Sequence, residues 1–198
     1  RDVLGSRGLG DVYKRQVNQC PVGGASVGDK IAAIMGVEAG AAEKMVAFVK
    51  CKGTCDKANV QYNYYGMDDC VKIAAAVPGA GDKACSYGCL GSGSCVKACQ
   101  FDAIHIVDGV AVVDKEKCVA CGACAAVCPR HLIDLVPYKA EHLVQCNSHD
   151  KGADVKKKCD AGCIGCTLCT KQCEADAIRM NDNVAVIDYE KCTNLSLI

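Results

Sequence analysis

Four cysteines in one short segment constrain this chain more than any other feature. They follow the spacing Cys118-x2-Cys121-x2-Cys124-x3-Cys128, and Pro129 comes directly after the last of them. This spacing is typical of a loop that binds [4Fe-4S] clusters, in which the first three thiolates bind one cluster and the fourth binds a neighbouring one. The motif therefore predicts a pair of clusters and an electron-transfer role.

Composition favours metal centres as a source of stability. The 198 residues include 19 cysteines, two phenylalanines and no tryptophan, so few large side chains remain for a hydrophobic core. Disulfides or metal centres could compensate, and the cysteine spacing favours metal. No apolar run reaches the ~18 residues of a membrane span, so we expect this segment to be soluble. Equal numbers of acidic and basic residues argue against a nucleic-acid partner.

The cysteine pattern is duplicated along the chain. The spacing Cys-x3-Cys-x5-Cys-x3-Cys begins at Cys85 and again at Cys159, 74 residues later, and 18 residues separate each copy from a further cysteine. In each copy two short apolar stretches flank a turn, which predicts β-hairpins at residues 104–113 and 178–187. We therefore predict an α+β fold of tandem bacterial-type 2[4Fe-4S] ferredoxin modules, with short hairpins and helices around the clusters.

The first copy supplies ligands for two complete clusters. Ser92 stands where the usual spacing has a cysteine, and Cys85 is the predicted substitute. The two predicted ligand sets are Cys85, Cys89, Cys95 and Cys128 for cluster 1, and Cys99, Cys118, Cys121 and Cys124 for cluster 2.

The second copy has Cys166 at the position that matches Ser92, and it leaves Cys159 spare. We expect this copy to be cut short after Asn194, so that its clusters lack ligands. Its predicted ligands are Cys163, Cys166 and Cys169 for cluster 3, and Cys173 and Cys192 for an incomplete cluster 4.

Both ends of the chain differ from the rest. Residues 1–16 and 195–198 resemble a translated sequencing-library adaptor, so we expect native sequence from about residue 17 to residue 194. A native disordered terminus is the alternative interpretation.

Several segments outside the cluster loops point to one family. They are NQCPVGG at 18–24, VAFVKCKGTCDK at 46–57, YYGMDDC at 64–70, CSYGCLG at 85–91 and NSHDKG at 147–152. Together with the Cys118 loop, they resemble the B subunit of the Rnf complex, the membrane-bound ferredoxin:NAD oxidoreductase, in its clostridial form. The resemblance covers almost all of residues 17–194.

This resemblance implies a protein on the cytoplasmic side of the cell membrane. It would accept electrons from reduced ferredoxin and pass them to other Rnf subunits, whose redox chemistry drives sodium or proton export, and it would have no catalytic residue of its own. In the family, a membrane helix and a three-cysteine motif precede the position of Cys20, which is the fourth ligand of an N-terminal [4Fe-4S] cluster. Cys20 is therefore predicted to be an orphan ligand here.

These inferences divide the chain into seven parts. The parts are the tail at 1–16, the end of an N-terminal [4Fe-4S] domain at 17–38, a connecting region at 39–84, the first ferredoxin module at 85–140, a linker at 141–158, the truncated second module at 159–194 and the tail at 195–198.

The sequence leaves open the structure or the role of several segments and cysteines. Residues 46–49 could form a strand or the end of a helix, residues 27–35 form a weak amphipathic helical pattern, and His149 fits a polar turn better than a metal ligand. Lys151 and residues 156–158 could dock an acidic ferredoxin or form a solvated loop. The cysteines without an assigned role are possible iron ligands or buried structural thiols: Cys51, Cys55, Cys70, Cys146 and Cys159.

Three other classes of protein fit the sequence less well. A zinc module would favour two separated cysteine pairs per tetrahedral site, which is not the spacing observed. A disulfide-rich secreted domain does not fit the odd cysteine count. A polyferredoxin-type electron-transfer protein of a hydrogenase, formate dehydrogenase or carbon monoxide dehydrogenase would not need the region before Cys85.

Overall fold

The structure of the protein is a computed structural model that describes residues 23–36, 43–76 and 81–194. Cys20 and both predicted tails lie outside the described residues. The described helices are short except for the first: α1 Gly24–Met35, α2 Cys70–Ala76, α3 Ser94–Ala98, α4 Ala123–Val127, α5 Gly152–Lys158 and α6 Leu168–Gln172. The strands are β1 Met45–Val49, β2 Ile104–Val107, β3 Val110–Val113, β4 Ile133–Pro137, β5 Ile178–Asn181 and β6 Val184–Ile187.

Two hairpins occupy the predicted positions. Strand β2 pairs with β3 and strand β5 pairs with β6, both antiparallel, so the α+β prediction with short hairpins is confirmed. Asp108 and Gly109 have positive φ angles of 47° and 73°, as a two-residue hairpin turn between right-twisted strands requires. The helical pattern at 27–35 is also confirmed, because it lies within α1.

A third sheet joins the connecting region to the first copy of the repeat. Strand β1 pairs antiparallel with β4, from Met45 opposite Pro137 to Val49 opposite Ile133. The undecided segment at 46–49 is thus a strand, and its partner strand was not predicted from the sequence. Ala47 and Val49 of β1 are buried in a core that also includes Cys95, Ile104, Ala111, Cys124, Leu132 and Ile133.

The described residues include no helix with both the length and the apolar character needed to cross a membrane.

Lys83 is a buried cation that links the connecting region to the first hairpin. Its side chain is only 7% exposed, and its ammonium group donates to the carbonyl oxygens of Gly53 at 2.8 Å and Gly109 at 2.6 Å. Hydrogen bonds from a charged donor contribute about 1.5–3 kcal/mol each, and an unpaired buried carbonyl is costly. Lys83 therefore stabilises the position of the connecting region on the hairpin turn.

Replacing Lys83 with methionine is expected to lower the free energy of unfolding by about 3 kcal/mol, since both carbonyls lose their donor. The measurement is anaerobic urea unfolding of the iron-loaded chain, followed by circular dichroism. Lys115→Met is the matched control, because Lys115 is exposed and such substitutions change stability by about 0.5 kcal/mol or less. Equal midpoints for the two variants would contradict the role given to Lys83.

Candidate metal centre

The first cavity collects the four cysteines predicted for cluster 2. The loop after β3 carries two of them, α4 carries the third, and Gly122, with a φ of 79°, allows the loop to turn into α4. The fourth follows α3. The cysteines that line this cavity are Cys99, Cys118, Cys121 and Cys124.

Backbone amides point at the sulfur atoms of this cavity. The Ala47 N–H donates to Cys118 Sγ at 3.3 Å, and the Ala103 N–H donates to Cys99 Sγ at 3.4 Å. Burial raises the pKa of the Cys124 thiol to about 11, and the neighbouring thiols of Cys118 and Cys121 add to the shift. The site therefore disfavours free thiolates, whereas thiolates bound to iron would have their charge compensated by the metal.

The cysteines of the second cavity differ from those predicted for cluster 1 at one position. Its cysteines are Cys70, Cys89, Cys95 and Cys128, so Cys70 stands where Cys85 was expected. Burial raises the pKa of the Cys95 thiol to about 12, and the other three cysteines of the cavity add to the shift. The Leu132 N–H donates to Cys128 Sγ at 3.4 Å, in the same i to i+4 relation as Ala103 and Cys99.

Cys70 reaches this cavity because α2 begins at that residue. Asp69 Oδ1 accepts from the amides of Val71 at 2.9 Å and Lys72 at 3.3 Å, as an N-cap does. The buried hydroxyl of Ser94 accepts from the Cys70 N–H at 2.8 Å and lies 3.2 Å from Asp69 Oδ1. These bonds hold the connecting region against α3. The missing cysteine at Ser92 indicated that a cysteine from elsewhere would line this cavity, but Cys70 has no counterpart in the repeat.

Cys51, Cys55 and Cys85 line neither of these two cavities. Cys85 lines a third cavity together with Cys51, Cys146 and Cys159, so the structure does not bring Cys85 into the second cavity. Cys55 is exposed. Its sulfur faces Gly109, where an added Cβ would lie 2.7 Å from Cys55 Sγ.

The second copy of the repeat has similar local geometry. Burial raises the pKa of the Cys169 thiol, with further contributions from the nearby thiols of Cys163 and Cys166, so the predicted triplet is together. The Ala177 N–H donates to Cys173 Sγ at 3.3 Å, as Ala103 does to Cys99 in the first copy. The Cys192 thiol lies 3.8 Å from Asn194 Oδ1.

Histidines do not join these cysteine groups in the contacts observed. His149 Nδ1 lies 3.2 Å from Asp182 Oδ2, and its ring packs edge-on against Tyr87 at 5.5 Å. Among residues 23–36, 43–76 and 81–194, no group of three or more His, Cys, Asp or Glu side chains is arranged to hold a metal ion. The cysteines line the walls of cavities, which suits a [4Fe-4S] cluster because four thiolates surround it.

Comparison with known proteins identifies the family. A 4Fe-4S binding domain matches residues 111–134, which include most of β3, the Cys118 loop and the start of β4. The B subunit of the ion-translocating oxidoreductase complex of Methanosarcina acetivorans is 46% identical over 178 residues, a match that covers 89% of this chain and 67% of that protein. The chain belongs to the family of Rnf complex B subunits.

Two further members of this family match over the same region. The B subunit of the Na(+)-translocating ferredoxin:NAD(+) oxidoreductase complex of Acetobacterium woodii is 48% identical, over 89% of this chain and 53% of its own length. The proton-translocating counterpart in Clostridium ljungdahlii is 42% identical, over 90% of this chain and 63% of its own length. The family resemblance seen in the sequence is therefore confirmed. This chain spans between about half and two thirds of the length of these relatives.

Proposed function

We propose that this chain is the iron–sulfur electron-transfer part of an ion-translocating ferredoxin:NAD oxidoreductase (Rnf) complex. It would accept electrons from reduced ferredoxin and relay them to other subunits of the complex on the cytoplasmic side of the membrane. The observation that carries the proposal is the pair of cavities in the first copy, each lined by four cysteines. The revised ligand sets are Cys70, Cys89, Cys95 and Cys128 for one cluster, and Cys99, Cys118, Cys121 and Cys124 for the other.

The residues around the cavities fit this cofactor. When bound, a [4Fe-4S] cluster gains and loses single electrons at a potential set by charge, hydrogen bonds to sulfur and exposure. The amides of Ala47, Ala103 and Leu132 donate to ligand sulfurs, which stabilises added negative charge. Arg130 lines the second cavity and donates to the Gly88 carbonyl at 2.8 Å, so a cation stands beside that site.

The proposal extends to the tandem organisation. Modules at 85–140 and 159–194 would follow the connecting region at 39–84, and Cys20 would be an orphan ligand in the end of an N-terminal [4Fe-4S] domain at 17–38. The second module would contribute the triplet Cys163, Cys166 and Cys169 to a third cluster with no assigned fourth ligand, and Cys173 and Cys192 to a fourth cluster with only these two assigned ligands. The matching N–H···S bonds at Cys99 and Cys173 support an equivalent role for these two residues.

The test is anaerobic reconstitution of the chain, with iron and sulfide analysis and electron paramagnetic resonance. We expect equal iron and sulfide, at about four of each per cluster, and reduction of the centres by reduced ferredoxin. A folded chain without iron would overturn the proposal, and so would a chain that binds zinc instead. Iron centres that dithionite reduces but ferredoxin does not would contradict only the choice of electron donor.

A basic surface on α5 is the candidate docking site for ferredoxin. Lys156 and Lys157 are exposed, although Lys157 Nζ lies 3.3 Å from Asp154 Oδ1. Lys158 Nζ pairs with Asp150 Oδ2 at 2.7 Å and is partly buried. The first two lysines are therefore more accessible to an acidic partner than Lys158. Complementary charge accelerates encounter, most strongly at low salt.

Replacing Lys156 and Lys157 with glutamine is expected to slow ferredoxin-driven reduction about threefold at low ionic strength. The difference should shrink in high salt, where charges are screened. The control carries Lys115→Gln and Lys139→Gln, two exposed lysines outside α5. An equal rate and an equal salt dependence for both double variants would show that ferredoxin does not dock on α5.

A further inference from the structure

Four cysteines from four separate parts of the chain line the third cavity. Cys51 follows β1, Cys85 opens the first copy of the repeat, Cys146 lies in the linker before α5, and Cys159 opens the second copy. Cys85 and Cys159 occupy equivalent positions, 74 residues apart. The family match at residues 111–134 includes none of the four.

The sulfur atoms of Cys51 and Cys159 approach each other around Gly53. A Cβ atom added to this buried glycine would lie 3.3 Å from Cys159 Sγ and 3.7 Å from Cys51 Sγ. Backbone bonds fix this approach, because the Asn59 N–H donates to the Lys158 carbonyl and the Asp160 N–H donates to the Lys57 carbonyl, both at 2.9 Å. The connecting region is thus joined directly to the start of the second copy.

The other two thiols lie close to this pair. Cys85 and Cys146 border the same cavity as Cys51 and Cys159. Amides also face two of the sulfurs: the Cys89 N–H lies 3.4 Å from Cys51 Sγ, and the Ser148 N–H lies 3.4 Å from Cys146 Sγ. The first and second cavities have the same kind of N–H···S contact.

Cations and a buried hydroxyl complete the lining. Lys83 and Lys158 both border the cavity, together with Ser148, which is only 3% exposed. The guanidinium of Arg130 donates to the Cys85 carbonyl at 3.1 Å. Positive charge beside the cavity lowers the cost of placing several thiolates in a partly buried site. Ordinary buried cysteines, which pack as small neutral hydrophobes, need no such surroundings.

We propose that Cys51, Cys85, Cys146 and Cys159 bind an additional [4Fe-4S] cluster that joins the two copies of the repeat. This inference rests on the proposed function only in assuming that the chain is an iron–sulfur protein. It gives a role to Cys51, Cys146 and Cys159, which spacing alone left unassigned, and it moves Cys85 from cluster 1 to this additional cluster. Cys55 lies outside every cavity described above. A single zinc ion would need all four sulfurs to converge at about 2.3 Å from one point, whereas these cysteines line a cavity.

The test compares alanine variants of the anaerobically reconstituted chain. Cys51→Ala and Cys146→Ala should each lower the iron content by about four atoms per chain. The double variant should lose no more than either single variant, because both residues serve one cluster. Cys55→Ala is the matched control, since Cys55 is four residues from Cys51 and exposed, and its iron content should equal that of the unsubstituted chain. Unchanged iron in folded Cys146→Ala, or additive losses in the double variant, would overturn the proposal.

A second measurement uses the unsubstituted chain, so its result does not depend on whether a variant folds. The iron-loaded chain is treated with iodoacetamide, and modified cysteines are mapped by mass spectrometry before and after iron chelation. We expect Cys55 to react at once, and Cys51, Cys85, Cys146 and Cys159 to react together only after chelation. Immediate reaction of these four while Cys99 and Cys118 stay protected would overturn this inference alone. Protection by about one zinc per chain would also overturn it, and a chain without any iron would overturn the proposed function as well.

Discussion

Cys70→Ala is expected to remove about four irons per chain, because Cys70 completes the second cavity with Cys89, Cys95 and Cys128. Combining it with Cys95→Ala should cause no further loss, since one cluster cannot be lost twice. In contrast, Cys85→Ala combined with Cys95→Ala should remove about eight irons, because these residues line different cavities. Iron and sulfide analysis of the anaerobic variants measures all three effects.

These variants separate the structural assignment from the one based on spacing. If Cys85 were the ligand that replaces the missing cysteine at Ser92, the Cys85 and Cys95 double variant would lose only one cluster. Cys70→Ala would then retain its full iron content. Circular dichroism of each variant serves as the control for folding, because Cys70 also begins α2 and its amide bonds to Ser94.

Gly91→Ala is expected to destabilise the chain more than Gly122→Ala, although both glycines have positive φ angles, 75° and 79°. Each substitution incurs the cost of a left-handed alanine, about 1–3 kcal/mol. At Gly91 the new Cβ would also lie 2.9 Å from the Gly109 carbonyl oxygen, whereas at Gly122 no atom lies within 4 Å. The clash with backbone should add about 1–3 kcal/mol.

The measurement is anaerobic urea unfolding of the two iron-loaded variants, together with the rate at which each loses iron to a chelator. Gly91→Ala should unfold at lower urea and release iron faster than Gly122→Ala. Gly165 repeats the arrangement of Gly91, with its added Cβ 2.9 Å from the Asn183 carbonyl oxygen, so Gly165→Ala should behave like Gly91→Ala. Indistinguishable behaviour of Gly91→Ala and Gly122→Ala would show that φ alone sets the cost.

Local features of the fold could be predicted from the sequence because their causes are local. Both hairpins follow from apolar stretches around a turn, and the four cysteines of the first cavity follow from a short loop and the repeat. The family was recognisable from contiguous segments such as residues 46–57. These signals are all contained within a few dozen residues of chain.

Long-range contacts account for what the sequence did not reveal. Strand β4 pairs with β1 although residues 50–132 separate the two strands along the chain. No periodicity within residues 133–137 identifies β1 as the partner strand. Cys70 enters the second cavity through an N-cap and a bond to Ser94, a contact between segments that the repeat does not relate. Cysteine spacing shows only which residues are near each other along the chain. It therefore favoured Cys85 over Cys70, which is close to the other cysteines of the second cavity only in the folded structure.

Pairing of β1 with β4 also limits how early the chain can fold during translation. Residues 45–49 leave the ribosome long before residues 133–137, and a sheet pair of such separation forms only when both strands exist. The thiols of residues made early, such as Cys51 and Cys70, are therefore open to oxidation and adventitious metals until the later segments have been translated. Cluster assembly in the second and third cavities therefore has to follow synthesis of the later segments, because Cys128 lines one of these cavities and Cys146 and Cys159 line the other.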